Sequence, residues 1–404
     1  MNLPFFIAKR YFFARKKTSF ISLISFISML GVCIGTMALV IVLSVFNGLE
    51  EFQKGLFKSF DAELKVSAVK GKNFACNEAF LQKLQKIEGI TSITQVIQES
   101  ALLRYKDAQM VVTLKGVDEN FLKQERLKKS LIDGVPKLGG TGLNYAIVGS
   151  GIAFTLGIDL DAFFVPIEAW YPRNTHSKTL DFHSTDAFNR LNVLPSGIFA
   201  IEQDYDNNYA FVPLEFAQEL FEYGNKRTSL EIQVKNPTQI ASVQEQLKEI
   251  LGKGFLVQNQ DEQHASLLRA IKIEKLFVFL TLSFIIGIAS FNIFFSLSML
   301  AIEKKPDVKT LIAMGAATGA IKKVFLYEGA IVALSGAFTG LILGFLICWL
   351  QQTYGFISMG IIGSLVDAYP IKMHPSDFFF TAVVVIFMTL CASYFPAQRA
   401  VEKQ

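Results

Sequence analysis

Charged side chains are missing from four long stretches of the sequence. None occurs from Thr18 to Leu49, from Leu276 to Ile302, from Gly329 to Val366, or from Phe378 to Gln398. Over the whole chain 18% of residues are charged against 51% hydrophobic, and Phe alone numbers 38. Four such runs are too many for one soluble core to bury, which excludes a purely soluble protein. The same lack disfavours a proton- or ion-coupled transporter, whose relays need ionisable groups inside the membrane. Cysteine is scarce as well. Of the four, Cys33, Cys348 and Cys391 fall in the apolar runs and only Cys76 lies between them, so the intervening region has no internal disulfide.

Several chemical signatures are also absent. There is no G-x-x-x-x-G-K-[ST], and Gly252-Lys253-Gly254 does not approach one, so ATP binding in a Walker fold is excluded. No H-E-x-x-H exists, which removes a zinc membrane protease of that type. Gly149-Ser150-Gly151 is not the G-x-S-x-G nucleophile elbow and reads as a tight strand-to-helix turn. His176, Asp181 and His183 match no standard metal spacing and read as solvated loop residues. No enzymatic constellation, metal site or cofactor site is expected. The net charge of +4 comes from Lys and Arg flanking the apolar runs and requires no nucleic acid.

Each run supplies the ~20 apolar residues that cross ~30 Å of hydrocarbon as a helix. The fold expected is a membrane protein of four transmembrane α-helices, at 21–47, 273–302, 324–351 and 377–396. An extracytoplasmic α+β domain, 48–272, is inserted between helices 1 and 2. The third run exceeds one span, and Gln351-Gln352-Thr353-Tyr354-Gly355 marks its exit into a loop, 352–376. The first run is too long for a cleaved signal peptide, and no small-residue cleavage site follows it. Lys9, Arg10, Arg15, Lys16 and Lys17 precede it, and Lys304, Lys305, Lys309, Lys322 and Lys323 follow the second. Arg399 and Lys403 follow the fourth. The positive-inside rule therefore puts both termini in the cytoplasm and the large domain outside. Residues 1–20 alternate Phe5, Phe6, Phe12 and Phe13 with basic residues, which fits an elbow helix on the membrane surface or a basic tail that only sets topology; 397–404 is a cytoplasmic tail.

In the inserted domain, alternation predicts strands at about 62–69, 92–105, 109–117, 161–167, 196–203, 208–212 and 228–234. Helical patterns fit about 77–87, 149–157, 213–222 and 237–251, with Pro213 as a helix start. Glu168–Leu194 reads as a projecting loop or hairpin. From Asp261 a helical pattern runs without a breaker towards span two, as a stalk. In the cytoplasmic loop 303–323, Pro306 and Asp307 favour a helix start. Gly315 suits its end, and Thr318 suits the cap of the next helix. Val308, Leu311 and Ile312 share one face, which fits docking into a groove on a soluble partner or lying on the bilayer or the chain's own bundle. Asn292 is the one polar exception inside span two, placed either to hydrogen-bond between helices or to serve a substrate path.

The residues resemble a known family. Gly31–Glu50, GVCIGTMALVIVLSVFNGLE, resembles the first span of the lipoprotein-releasing permeases LolC and LolE, with their G-x-x-x-G-x-M-A-L…LSV-x-NG run. Asn292–Tyr327 followed by Glu328-Gly329-Ala330 is similar to the family's span two and its E-K-x-x-[DE]-V/I-x-x-L-x-x-x-G loop. Ile147–Ile158 resembles a G-x-x-[IL]-A-x-x-LG segment, and Tyr394–Ala400, YFPAQRA, the ending Y-P-x-x-R-A. The loop motif is shared with the wider MacB/FtsX-like superfamily.

The resemblance implies a type VII ABC permease in the inner membrane. A second permease copy or sister permease would pair with it, the mixture of LolC and LolE features favouring an identical copy. A separate LolD-like ATPase would bind ATP, and a LolA-like periplasmic carrier would receive lipoproteins drawn from membrane lipid. Coupling to the ATPase would fall to Glu303, Lys304, Asp307, Val308, Leu311 and Ile312. Met37, Val40, Val42, Leu43, Phe46 and Asn292 would line the acyl-chain cavity, and Trp170, Tyr171, Pro172 and Arg173 would belong to a carrier-contact loop. At ~0.8 kcal/mol per buried CH₂, a triacyl anchor of roughly 45 methylenes is held by on the order of 36 kcal/mol, so release needs both an engine and a shielded handover. Two alternatives are a MacB-like export permease, which would normally carry its own ATPase, and an FtsX-like regulator of cell-wall hydrolases, whose outer domain is usually much smaller.

Overall fold

The computed structural model describes residues 3–13, 20–124, 127, 130–140, 142–162, 165–173, 187–359 and 368–402. The chain divides into two compact units, one of Met1–Phe52, Ser266–Gly360 and Val366–Gln404, the other of Gln53–Ala265 with Ile361–Leu365.

Among the described residues four helices of the first unit are long and apolar enough to cross a membrane. They are Phe20–Phe60, Ala265–Glu303, Thr318–Tyr354 and Pro375–Glu402, here spans one to four. Span one has 41 residues and at 1.5 Å per residue extends about 60 Å, roughly twice the ~30 Å hydrocarbon core. The elbow helix is Leu3–Phe13 and the short cytoplasmic helix Lys305–Ala313.

Small residues set how closely the spans approach. On span three, Gly336, Gly340 and Gly344 recur every fourth residue against span one. A Cβ at Gly340 would stand 2.5 Å from the Cys33 carbonyl oxygen and 2.8 Å from the Thr36 Cβ. On span one, Gly31 and Gly35 face Ala289 and Ile286 of span two. Without a hydrophobic driving force between helices in lipid, such small-residue stripes supply the packing. Val32, Leu39 and Leu43 fill the bundle interior with Ile286, Ile293, Leu297, Val332, Ala337 and Val385. Span three ends where expected, at Gly355 in the left-handed conformation (φ 60°). Gln351 fixes the exit, accepting from the Ile357 N–H (2.9 Å) and donating to the Ile357 carbonyl (2.9 Å).

The second unit is α+β. Its main sheet runs in the order Phe255–Asn259, Leu64–Ala68, Ser229–Val234, Ile90–Tyr105, Ala108–Val117, Tyr209–Pro213, Leu143–Gly149, Phe188–Phe199, Leu131–Gly134. Most pairs are antiparallel, but Tyr209–Pro213 lies parallel to Ala108–Val117, and Leu143–Gly149 parallel to Phe188–Phe199. Two apolar cores flank it. Helices Ser150–Leu156 and Leu214–Phe221 pack Ile152, Leu156, Phe216 and Leu220 into one, and Glu78–Gln85 and Ile240–Leu251 bring Leu84, Val243 and Leu247 to the other. Lys115 and Glu231, both almost fully buried, form an ion pair of 2.6 Å. The Lys115 ammonium also stands 4.9 Å from the Phe60 ring centroid and 5.7 Å from that of Phe211.

Several expectations shift. The strand predicted at 161–167 lies instead at Ile167–Pro172, and the one predicted at 196–203 occupies Phe188–Phe199. The stalk is interrupted. Gln260–Gln263 is a separate turn of helix with an Asn259–Glu262 capping box, and His264 breaks it from span two. The His264 ring stacks 3.7 Å from that of Phe57, and its Nε2 lies 2.6 Å from Asp61 Oδ2.

Candidate functional site

The cytoplasmic helix Lys305–Ala313 is built as the sequence predicts, with Pro306 in its first turn, Asp307 near its positive end and Gly315 (φ 87°) just past its end. Ala317, not Thr318, occupies the cap of span three. Its apolar side is divided. Val308 is buried with Leu300, Ile321 and Phe325, so it anchors the helix to its own bundle. Leu311 is half-buried, while Ile312 and Met314 are exposed. The exposed apolar side chains are therefore Ile312 and Met314, with Lys305, Lys309 and Thr310 around them, and the Val308–Leu311–Ile312 face is not exposed as a whole.

The elbow helix holds this helix in place. The Tyr11 hydroxyl donates to Asp307 Oδ2 at 3.5 Å. Lys304 lies 3.8 Å from both Glu303 and Asp307, and 5.4 Å from the Tyr11 ring centroid. Burial, and then the Asp307 carboxylate, push the Tyr11 phenol up to about 12, so it stays a hydrogen-bond donor at physiological pH. Phe6, Ile7, Arg10 and Tyr11 line a cavity of 340 Å³ with Asp307, Thr310 and Leu311. The sequence reading assigned this tyrosine no role; its i+1 position after Arg10 in a basic, Phe-rich helix carried no distinguishing signal.

Along span one the cavity candidates separate. Val40 and Leu43 are buried, Val40 against Gly344 and Leu43 in the bundle interior, so within one chain these two pack rather than line a free surface. Met37, Val42 and Phe46 are half-exposed. On span two Asn292 is exposed among Ile288, Phe291 and Phe295. It forms no hydrogen bond among the described residues, which departs from the interhelical packing expected within the chain.

In the inserted domain, Ile167–Pro172 pairs antiparallel with Phe188–Phe199, so Glu168–Leu194 is a hairpin. Trp170 pairs with Arg190, whose guanidinium covers its ring at 3.9 Å, and donates from Nε1 to Glu168 Oε2 at 3.1 Å. Tyr171 packs edge-on against Phe221 at 4.7 Å and is part of the domain core. Arg173 donates to Asn189 Oδ1 at 3.0 Å and lies 3.7 Å from Glu222; Pro172 and Arg173 are exposed. His176, Asp181 and His183 lie outside the described residues.

Comparisons with known proteins agree with this layout. Residues 279–404 match the model of the FtsX-like permease C-terminal family, and residues 25–172 that of the MacB-like periplasmic core domain. The lipoprotein-releasing system transmembrane protein LolE of Haemophilus influenzae is 24% identical over 426 residues, spanning 100% of this chain and 98% of that protein. LolC of Neisseria meningitidis serogroup B is 23% identical over 416 residues, covering 100% and 98%. LolC of Xylella fastidiosa is 26% identical over 413 residues, covering 98% and 96%. The chain is similar to the LolC and LolE permeases along its whole length and carries an FtsX-like permease C-terminal domain and a MacB-like periplasmic core domain.

This permease is thus a multi-pass inner-membrane protein with a periplasmic domain between its first two spans. The FtsX-like match opens inside span two and takes in the short cytoplasmic helix and both remaining spans. The MacB-like match opens inside span one and closes at Pro172, the last residue of the hairpin's first strand.

Proposed function

We propose that this permease draws outer-membrane-directed lipoproteins out of the outer leaflet of the inner membrane and passes them to a periplasmic carrier, using ATP hydrolysed by a separate ATPase subunit. The observation that carries the reading is similarity to lipoprotein-releasing transmembrane proteins along the whole chain, with the G-x-x-x-G of span one and the cytoplasmic helix each in a structural role. Both termini lie in the cytoplasm in this scheme, which puts Lys305–Ala313 where an ATPase meets it. Ile312 and Met314 dock, and Tyr11 with Asp307 holds the helix against recoil.

A second permease copy would supply the other wall of the lipid path. Asn292 supports this. An amide facing hydrocarbon alone is costly, and an identical helix face brings a matching amide to it. Met37, Val42 and Phe46 are the acyl-lining residues left once Val40 and Leu43 are assigned to packing. Pro172 and Arg173, exposed at the end of the first strand, are the carrier-contact candidates.

Reconstitution decides the reading. The permease and its ATPase are placed in vesicles bearing a labelled triacylated lipoprotein, and ATP and a soluble carrier are added. ATP-dependent transfer to the carrier is expected; its complete absence with an assembled, ATP-hydrolysing complex defeats the proposal. Deleting Pro172–Asp186 is expected to abolish carrier binding and leave ATP hydrolysis intact.

A further inference from the structure

At the periplasmic end of span one, Asn47 is buried to 6% exposure and joins three separate parts of the membrane unit. Its Oδ1 accepts from the Lys275 ammonium of span two at 2.6 Å. Its Nδ2 donates to Asp377 Oδ2 of span four at 2.6 Å and to the Lys372 carbonyl at 3.2 Å. Lys275 and Asp377 stand 3.9 Å apart. The loop before span four is seated on the same spot. The Lys372 N–H donates to the Ser44 carbonyl at 3.0 Å, and the Lys372 ammonium pairs with Glu51. Gly48 completes the seat, because a Cβ there would collide with the Pro370 carbonyl.

The chemistry explains why an amide stands at this position. The group between Lys275 and Asp377 must accept from a cation on one side and donate to a carboxylate on the other. Asn does both without adding charge and, unlike a hydroxyl of similar size, has two N–H donors, one for Asp377 and one for the Lys372 carbonyl. A purely structural pin would be sealed from water, but this one is not. Lys275 retains 26% of its side-chain exposure, Asp377 17%, Lys372 43% and Glu51 56%. Each ion therefore already has access to water in the closed arrangement, and separating the groups would exchange their mutual contacts for water rather than leave them without partners. Asn47 directly follows Phe46, one of the half-exposed acyl-lining candidates.

We propose that Asn47, Lys275 and Asp377 form a polar latch that holds the periplasmic ends of spans one, two and four together at rest, and that its release in the ATP-bound complex opens the lipid path along span one. Asn47 acts as a positioning residue, touching other spans rather than cargo. The lipid-path half of this inference rests on the permease function above; the latch itself does not.

The test is a charge-pattern swap in the full permease–ATPase complex. Asn47→Asp sets two carboxylates against each other. Asn47→Asp with Asp377→Asn restores one cation, one carboxylate and one amide. Spin labels at Leu49 and Phe379 report the separation of spans one and four by pulsed dipolar spectroscopy. One narrow distance is expected in the resting wild type and in the swap, a broadened one in N47D, and a shift in the wild type trapped with a non-hydrolysed ATP analogue. Release to the carrier is expected to fall at least tenfold in N47D and to return to within threefold of wild type in the swap. A narrow, unshifted distance in N47D, a swap no better than N47D, or no change on ATP trapping would each overturn the latch. Should N47D fail to accumulate, the isosteric D377N is expected to broaden the same distance, and an unbroadened one counts against the proposal. Wild-type complex that shows no ATP-dependent release defeats the permease function instead, while the distances still decide the latch.

Discussion

Glycine shows how differently one residue type acts along span one and its neighbour. At Gly340 any side chain would press on the Cys33 carbonyl and Thr36. Gly340→Val is expected to cost about 1–3 kcal/mol, the usual range for overpacking a close contact. A lowered melting temperature of the detergent-solubilised permease would register it. At Gly55, in the last turns of span one, an added Cβ would meet no atom within 4 Å. Gly55→Ala is expected to stabilise by roughly 0.5–1 kcal/mol through reduced backbone freedom in the unfolded chain, raising the same melting temperature. Both substitutions falling on one side of zero would refute this assignment of the two glycines. A second single-residue case lies in the periplasmic domain. Lys115→Met leaves Glu231 charged in a site that is 4% exposed. A cost of about 3–5 kcal/mol is expected from removing one partner of a buried ion pair, seen as accelerated hydrogen exchange in Ile90–Tyr105 and Ser229–Val234. Adding Glu231→Leu removes the remaining charge and is expected to recover most of the protection.

At the scale of elements, the short cytoplasmic helix buries Val308 against its own bundle and exposes Ile312 and Met314, which the proposed docking would use, and the two sides are separable by mutation. Val308→Ala thins the contact with Leu300, Ile321 and Phe325 and is expected to cost about 1–3 kcal/mol of permease stability. Ile312→Glu leaves stability unchanged and is expected to weaken ATPase binding by at least tenfold, about 1.4 kcal/mol. Affinity measured by co-purification against a titration of ATPase, with melting of the permease alone, distinguishes them. If Ile312→Glu bound as well as wild type, the docking face would lie elsewhere. This division also marks how far the sequence was legible. Helical spacing put Val308, Leu311 and Ile312 on one side; the structure forms the helix but buries Val308 and leaves Ile312 exposed. Which of them turns inward depends on Phe325 and Ile321, residues of another helix that no local pattern connects to Val308. The same limit applies in the periplasmic domain. Leu143–Gly149 and Phe255–Asn259 are strands of the main sheet that alternation did not reveal. The first ends in the fully buried Ile147 and Val148 with no polar beat, and the second is a five-residue edge. The four spans were plain because hydrocarbon imposes its requirement on every residue of a run. Asn47 was quoted within a motif without a role, since its partners are 228 and 330 positions away.

For the molecule as a whole, the decisive constraint is the energy that anchors the cargo. On the proposed function, a periplasmic domain inserted between the first two spans would act on a lipoprotein through those helices. Three acyl chains held by on the order of 36 kcal/mol repartition into lipid unless another apolar cavity receives them. Cycles of ATP hydrolysis that raised the chains without a receptor would return them to the leaflet. In vesicles with ATP and ATPase but no carrier, labelled lipoprotein is therefore expected to remain membrane-bound, while ATP continues to be consumed. Adding a carrier with an apolar pocket is expected to convert that idle turnover into stoichiometric transfer, and a carrier whose pocket is already filled with a fatty acid is expected to leave it idle. Free lipoprotein appearing in solution with ATP alone would mean that the permease shields the acyl chains itself, and the handover would then be a convenience rather than a physical necessity.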